Sequence, residues 1–337
     1  MNARDKDQPS QSNSSRPSSR DWSLDKLLSN SCFHQVRRVS AILSPAELQS
    51  EIAKVDEDGL PLIIEGCHLL SKWPTEMFKV DWLLKNVSEK APEIATRNVH
   101  NSTDSKCPLP EFIEKCRALP KFAPADETER LYGKDVECPP EWEKWLHESD
   151  VLPSEVLLKN PNNFMQDLPE KQQVETLMCY LGIGDTFTAA HKDLCASSGQ
   201  NLMCYTENNG SSLWFLTESS SAPDAVDYFQ KLGQELDLET HFVTVEELSK
   251  APFRVYVAEQ KLGDLVLVPP RSCHQVMNSG GITIKTSWSR MTLKGLAAAL
   301  YHELPMYRRV CRPDTYRIKA TIYHALLNYT NDLQDTM

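Results

Sequence analysis

Ten cysteines occur in the 337 residues without a single Cys-x-x-Cys pair, so no zinc finger is visible. With no signal peptide ahead of them, the scattered thiols predict reduced, mostly buried cysteines of an intracellular protein. No apolar run reaches the length of a membrane span. No internal repeat and no cluster of Lys and Arg stands out. The net charge of −11 argues against direct nucleic-acid binding and fits either a basic partner or an ordinary acidic protein. A hydrophobic content of 40% supplies a sizeable core, and the length allows one large domain or two small ones.

Residues 1–21 are rich in Ser, Gln, Asn, Pro and Arg with little apolar content, which predicts a disordered tail. Arg37-Arg38-Val39-Ser40 has the form of a basophilic kinase site, a string that is usually incidental. Ser44 before Pro45-Ala46-Glu47-Leu48 reads as an N-cap opening a helix. Residues 60–120 read as mixed α/β. Residues 121–170, rich in Pro, Lys and Glu but anchored by Trp142, Trp145 and Phe164, read as a packed excursion. From Val174 the pattern changes to short strands, near 174–182, 186–192, 201–206, 212–217, 253–259, 264–268, 274–278 and 281–290, interrupted by a helix over 222–236. Eight such strands suit a double-stranded β-helix, or jelly roll. After Met291 the chain turns helical over 293–302 and about 313–331, either capping the barrel or forming a dimer surface. The expected fold is mainly β with α: a tail (1–21), an N-terminal helical and α/β part (22–170), a barrel core (171–292) and a C-terminal helical segment (293–337).

The chemistry concentrates at His191-Lys192-Asp193 and at the run from Gly263 to Asn278 that contains His274. On a strand alternate side chains share a face, so His191 and Asp193 point one way with Lys192 turned outward. His274 follows the apolar run Leu265–Val268 and the Pro269-Pro270 break, at a strand start. Two histidines and one carboxylate on one face leave three positions open, the facial-triad set of non-haem Fe(II) oxygenases. Alone, a His-x-Asp triplet usually lies on a surface, and a His after a buried strand is usually structural; their conjunction carries the reading. Gly263, Pro269, His274 and Asn278 have the spacing of the second cupin motif. Asn278 shares the parity of His274 and is a candidate to orient it.

From Pro61 to about Thr292, about two thirds of the chain, the sequence resembles JmjC-domain proteins of the Fe(II)/2-oxoglutarate oxygenase superfamily. Pro61-Leu62-Ile63-Ile64-Glu65-Gly66, Trp73 and Trp82-Leu83-Leu84 resemble the family's opening strand, helix and strand, and Pro108–Phe112 the helix that follows. Ser212-Leu213-Trp214-Phe215, the helix from Pro223 to Leu232, and His274-Gln275-Val276 through Ile284-Lys285 resemble the hairless-like branch of histone H3 lysine demethylases. The resemblance implies Fe(II), 2-oxoglutarate and O2 as the working set. It implies a methylated protein substrate, with a histone tail the first candidate, and a nuclear location. The larger demethylases of that branch carry a zinc module that this sequence lacks.

2-Oxoglutarate needs a cation for its far carboxylate. Many family members place a lysine two residues before the position of Trp214; here that residue is Ser212. Strand parity over Gly281–Arg290 offers a replacement: Thr283, Lys285, Ser287 and Ser289 share the interior face, while Ile282, Ile284 and Trp288 pack outward. Lys285 is the candidate clamp, against the alternative of a surface lysine. Arg290, on the other face, is the second candidate. The resemblance adds Thr188 and Asn201 on the co-substrate side and Tyr180 in the substrate pocket, each with the alternative of an ordinary strand or core residue. Three functions stay open: a demethylase, a protein or small-molecule hydroxylase on the same scaffold, and a non-enzymatic chromatin scaffold. Asn278–Ile284 resembles asparagine hydroxylases as much as demethylases, and Ser212 keeps the last option open.

Overall fold

Short runs of β-branched and apolar residues, each closed by a turn, form the strands of the protein. The computed structural model describes residues 16–87 and 93–335. Among these, fourteen strands follow in chain order: β1 (Phe33–Gln35), β2 (Arg37–Ser40), β3 (Leu62–Glu65), β4 (Glu93–Asn98), β5 (Thr103–Pro108), β6 (Leu131–Glu137), β7 (Met178–Gly182), β8 (Phe187–Lys192), β9 (Ser198–Thr206), β10 (Ser211–Leu216), β11 (Val255–Gln260), β12 (Leu265–Val268), β13 (Cys273–Ser279) and β14 (Thr283–Arg290). They make a five-stranded sheet, β1-β11-β10-β13-β8, and a nine-stranded sheet, β2-β3-β12-β9-β14-β7-β6-β4-β5. The strands from β7 onward are the eight expected from the sequence, and they divide four to each sheet. The ammonium of Lys285 on β14 reaches Ser212 on β10 and Asn278 on β13, so the two sheets face each other across a shared interior. This is the mainly-β jelly roll.

The segment 33–40 was not legible as strands. It gives β1 to the small sheet, parallel to β11, and β2 to the large one, parallel to β3. Arg38 donates to Glu65 and Asp264, both at 2.6 Å, so the basic string is part of a strand that ties two sheet segments together. Ser44 caps the helix Pro45–Asp58 through a full capping box with Glu47, and the helix ends on left-handed Gly59.

The main core lies behind the large sheet, under the N-terminal helices. Phe78 meets Trp142 at 4.8 Å and Trp145 at 5.1 Å between centroids, both edge to face. Trp142 is fully buried and donates its indole N–H to the Met77 carbonyl. The 121–170 excursion is therefore anchored by its tryptophans. We expect Trp142→Ala to cost about 3–5 kcal/mol, read from urea denaturation midpoints.

The ten cysteines are free, eight of them buried. No helix among the described residues is long and apolar enough to cross a membrane. Of the tail expected to be disordered, residues 1–15 lie outside the described residues. Residues 16–21 are placed: Ser19 is buried and bonds Asp185 through both its amide and its hydroxyl. The C-terminal helices run over Leu293–Ala298, Leu304–Arg309 and Ile318–Asp335, the first two joined by a π-helical turn at Ala299–Glu303. Pro305 follows that turn and has no amide hydrogen to give the preceding helix, which accounts for the widened turn. Leu296, Leu304, Tyr307 and Ile318 pack on Cys195 and Ala196, so this segment caps the barrel where β8 ends.

Candidate metal centre

β8 and β13 are antiparallel neighbours, with His274 paired to His191 and Cys273 to Lys192. The register then slips: Val276 pairs with Thr188, so β8 carries one extra residue between them. The bulge turns Thr188 onto the same face as His191 despite their odd spacing. The surplus amide of Ala190 is satisfied by the His241 carbonyl at 3.0 Å.

Asp193 follows β8 with extended backbone and heads a tight turn in which Cys195 and Ala196 both take left-handed conformations. Such geometry is costly for non-glycine residues and holds because the turn is gripped: the Tyr307 hydroxyl accepts from the Cys195 amide at 2.7 Å. His191, Asp193 and His274 each offer one ligand atom, and those atoms lie within 4.8 Å of one another.

Both imidazoles are oriented by their own strands. Nδ1 of His191 faces the Ala189 carbonyl at 2.9 Å, and Nδ1 of His274 faces the Ser272 carbonyl at 3.1 Å. With Nδ1–H donating, each Nε2 is left unprotonated toward the shared space. The rings are 4.2 Å apart between centroids, and Trp214 stacks on His274 at 5.9 Å and 22°. Burial, then the nearby His191, hold His274 well below the usual imidazole range. Burial pushes Asp193 up to about 6, and its buried Oδ2 has no hydrogen-bond partner. An orphaned carboxylate oxygen beside two unprotonated imidazole nitrogens fits a divalent transition metal.

Gly199 on β9 packs directly beneath Asp193, where a Cβ would overlap Oδ2. We expect Gly199→Ala to displace the carboxylate and weaken Mn(II) binding at least about tenfold, read by titration of the metal-free protein.

Lys285 projects into the same cleft, as strand parity requires, and is 1% exposed. Its ammonium donates to Asn278 Oδ1 at 2.7 Å and Ser212 Oγ at 2.9 Å, and Ser212 Oγ donates in turn to Asn278 Oδ1 at 2.7 Å. All of these partners are neutral, and burial alone lowers Lys285 to about 7. Ser212 thus receives from the opposite sheet the ammonium its own position lacks.

Two expectations are corrected here. Asn278 bonds Lys285, Ser212 and Thr186 rather than His274; its neighbours across the barrel decide its role, and strand parity sees only its own strand. Lys192 turns away from the metal face as expected, but it is buried and ion-paired to Glu303 instead of reaching solvent. Arg290 lies toward Asp56 and Glu155 and does not line the cleft, which leaves Lys285 as its buried cation, while Lys134, also in the lining, is paired with Asp135.

Thr188, Asn201 and Tyr180 all line the cleft with the triad. Asn201 Oδ1 accepts from Gln260 at 3.1 Å, and the Tyr180 hydroxyl donates to Asp135 at 2.7 Å. Sequence reasoning missed Tyr132 on β6, which is buried and lines the cleft together with Thr188. It also missed the role of Trp214, whose parity with Ser212 on β10 was the available signal. Glu239 and Lys134 line an adjoining groove at the cleft mouth.

Residues 178–289 match the family model described as JmjC domain, hydroxylase. Over 303 residues, 88% of this chain, the sequence is 32% identical to C-module-binding factor A of Dictyostelium discoideum. The chain spans 30% of the length of that relative. The facing sheets, the His-Asp-His cluster and the family match agree on one statement: residues 178–289 are similar to a JmjC domain and carry a candidate metal-ligand cluster.

Proposed function

We propose that the chain is an Fe(II)- and 2-oxoglutarate-dependent dioxygenase that oxidises a substrate C–H bond. The observation that carries this reading is Lys285, a buried ammonium with neutral partners that shares a cleft with an oriented His-Asp-His cluster. A buried cation without a counter-ion calls for an anionic ligand. His191, Asp193 and His274 would hold the iron on one face. Bound there, Fe(II) would supply O2 activation coupled to oxidative decarboxylation of 2-oxoglutarate to succinate and CO2. Lys285 would take the far carboxylate of the co-substrate, with Asn278 and Ser212 fixing the ammonium. Thr188 and Asn201, which line the cleft, would bond the same molecule, and Trp214 stacks on the His274 ring.

The finer reading is removal of a methyl group from a methylated lysine, with a histone tail as first candidate. Hydroxylation of the N-methyl carbon gives a hemiaminal that releases formaldehyde and the demethylated amine. Tyr132 and Tyr180 in the cleft and Glu239 at its mouth support a cationic, methylated side chain. A nuclear location would follow from that substrate. The second reading, hydroxylation of an uncharged side chain, is favoured by Lys134, a cation on the same rim. Incubation with Fe(II), 2-oxoglutarate and a library of methylated histone peptides separates them by product mass. Loss of a methyl mass that disappears in His191→Ala supports the demethylase. Gain of one oxygen supports the hydroxylase. Neither change, and no succinate in the presence of any peptide, contradicts demethylation of histone tails.

A further inference from the structure

A single buried carboxylate connects the two chain segments that carry the metal ligands. Glu303, 1% exposed at its side chain, closes the π-helical turn of the C-terminal segment. Its Oε2 accepts from Lys192 Nζ at 2.7 Å, and its Oε1 accepts from Arg271 Nε at 2.9 Å. Lys192 is the residue between His191 and Asp193. Arg271 sits in left-handed conformation in the turn that delivers His274. Each oxygen of one carboxylate therefore holds one of the two ligand-bearing segments, from the side of β8 and β13 opposite the metal face.

The group is balanced and dry. Asp237 adds a second carboxylate 3.5 Å from Lys192 Nζ, so two cations meet two anions. Lys192, Asp237 and Glu303 are each 2% exposed or less at the side chain, while Arg271 is 19% exposed. Burying an ionic group of this kind seldom adds net stability, since desolvation offsets the attraction. A simple core of Met and Leu would pack the same interface. What the ions supply is direction: two short charge-assisted bonds fix where the backbones of residues 192 and 271 lie relative to each other.

We propose that Glu303 is a positioning residue for the metal centre, setting the separation of the His191–Asp193 pair from His274; this rests on the metal-centre reading above. The π-helical turn is the means by which it does so. One extra residue in the turn advances the following side chain by about 100° around the axis, and this is the turn that brings Glu303 inward. Tyr307, one turn further on, holds the Cys195 amide, so the same helical segment also fixes the turn that follows Asp193.

The test uses the full chain with Co(II), whose visible bands report ligand geometry without turnover. Glu303→Gln keeps the volume and removes the charge. Lys192→Met/Glu303→Met removes the pair together, leaving no unpaired lysine, with Arg271 free to turn to solvent. Ile52→Ala, in the helix Pro45–Asp58, is a destabilised control remote from the site. We expect both Glu303 variants to bind Co(II) at least about tenfold more weakly, with altered bands, while Ile52→Ala keeps the wild-type spectrum and affinity. Should Glu303→Gln fail to fold, the double variant decides alone. Folded variants with wild-type bands and affinity overturn the positioning role. A control that shifts as far as the Glu303 variants overturns it too, since the effect would then be general destabilisation. A wild type that binds no Co(II) contradicts the metal centre itself.

Discussion

Asp193→Ala is expected to lower Mn(II) or Co(II) affinity by roughly a thousandfold and to abolish turnover, while the metal-free protein melts at or above the wild-type temperature. The magnitude follows from removing one of three protein ligands. That is about a third of the roughly 10–16 kcal/mol that a multi-ligand transition-metal site supplies, or about 4 kcal/mol. The stability direction follows from the surroundings. Asp193 Oδ2 is buried without a hydrogen-bond donor, so in the metal-free protein the carboxyl is a liability rather than a support. Isothermal titration and a thermal melt on the same preparation read both effects. Unchanged metal affinity would remove Asp193 from the ligand set. A large drop in melting temperature would make it a structural carboxylate instead.

Lys285→Met is the second large effect, and again affinity and stability move in opposite directions. Without the ammonium, 2-oxoglutarate binding should weaken about a hundredfold or more, a loss of about 3 kcal/mol for one partner of a buried charge pair. The ligand-free protein should gain about 1–3 kcal/mol at pH 6, because a buried charge with neutral partners is replaced by an apolar chain of similar length. The pH dependence has a definite sign. Burial lowers Lys285 to about 7 in the folded protein, against 10.5 for the free side chain. Between these values the unfolded chain holds a proton that the folded one has released. Wild-type stability from this group therefore rises with pH across that window, and the penalty is complete below it. The advantage of Lys285→Met should be largest at pH 6 and shrink above pH 7. Binding of the dianion at pH 8 should take up protons, and its dissociation constant should rise with pH above 7. Calorimetry in buffers of different ionisation enthalpy measures the uptake.

Much of the barrel was legible because its signals are local. Period-two alternation and turn residues mark β7 to β14 within a few residues, and parity along β14 places Lys285 inside. The His-x-Asp spacing and the cupin-like run to His274 bring the triad together on paper because each obeys its own strand. What escaped is non-local. β1 and β2 are three- and four-residue strands whose pairing partners lie up to 222 positions away, at Val255 and Val257 for Phe33 and Gln35. Tyr132 enters the cleft from the excursion, through a strand whose alternation is too short to read. Asn278 was assigned to the histidine on its own strand, yet its partners come from three other strands or turns. Lys192 looked like a solvent-facing spacer because nothing near it in sequence reveals Glu303, which the π-helical turn brings beneath it. The bulge in β8 is the clearest case: it inverts the parity between Thr188 and His191, and only the register of β13 discloses it.

The most direct measurement of the proposed chemistry is calorimetric titration of 2-oxoglutarate into the full chain, with and without Mn(II) as a redox-silent substitute for iron. We predict one binding event per chain that requires the metal, is lost in Asp193→Ala and is weakened about a hundredfold in Lys285→Met. A wild type that binds Mn(II) but no 2-oxoglutarate, or that binds 2-oxoglutarate equally well after both substitutions, would contradict the assignment of this cleft.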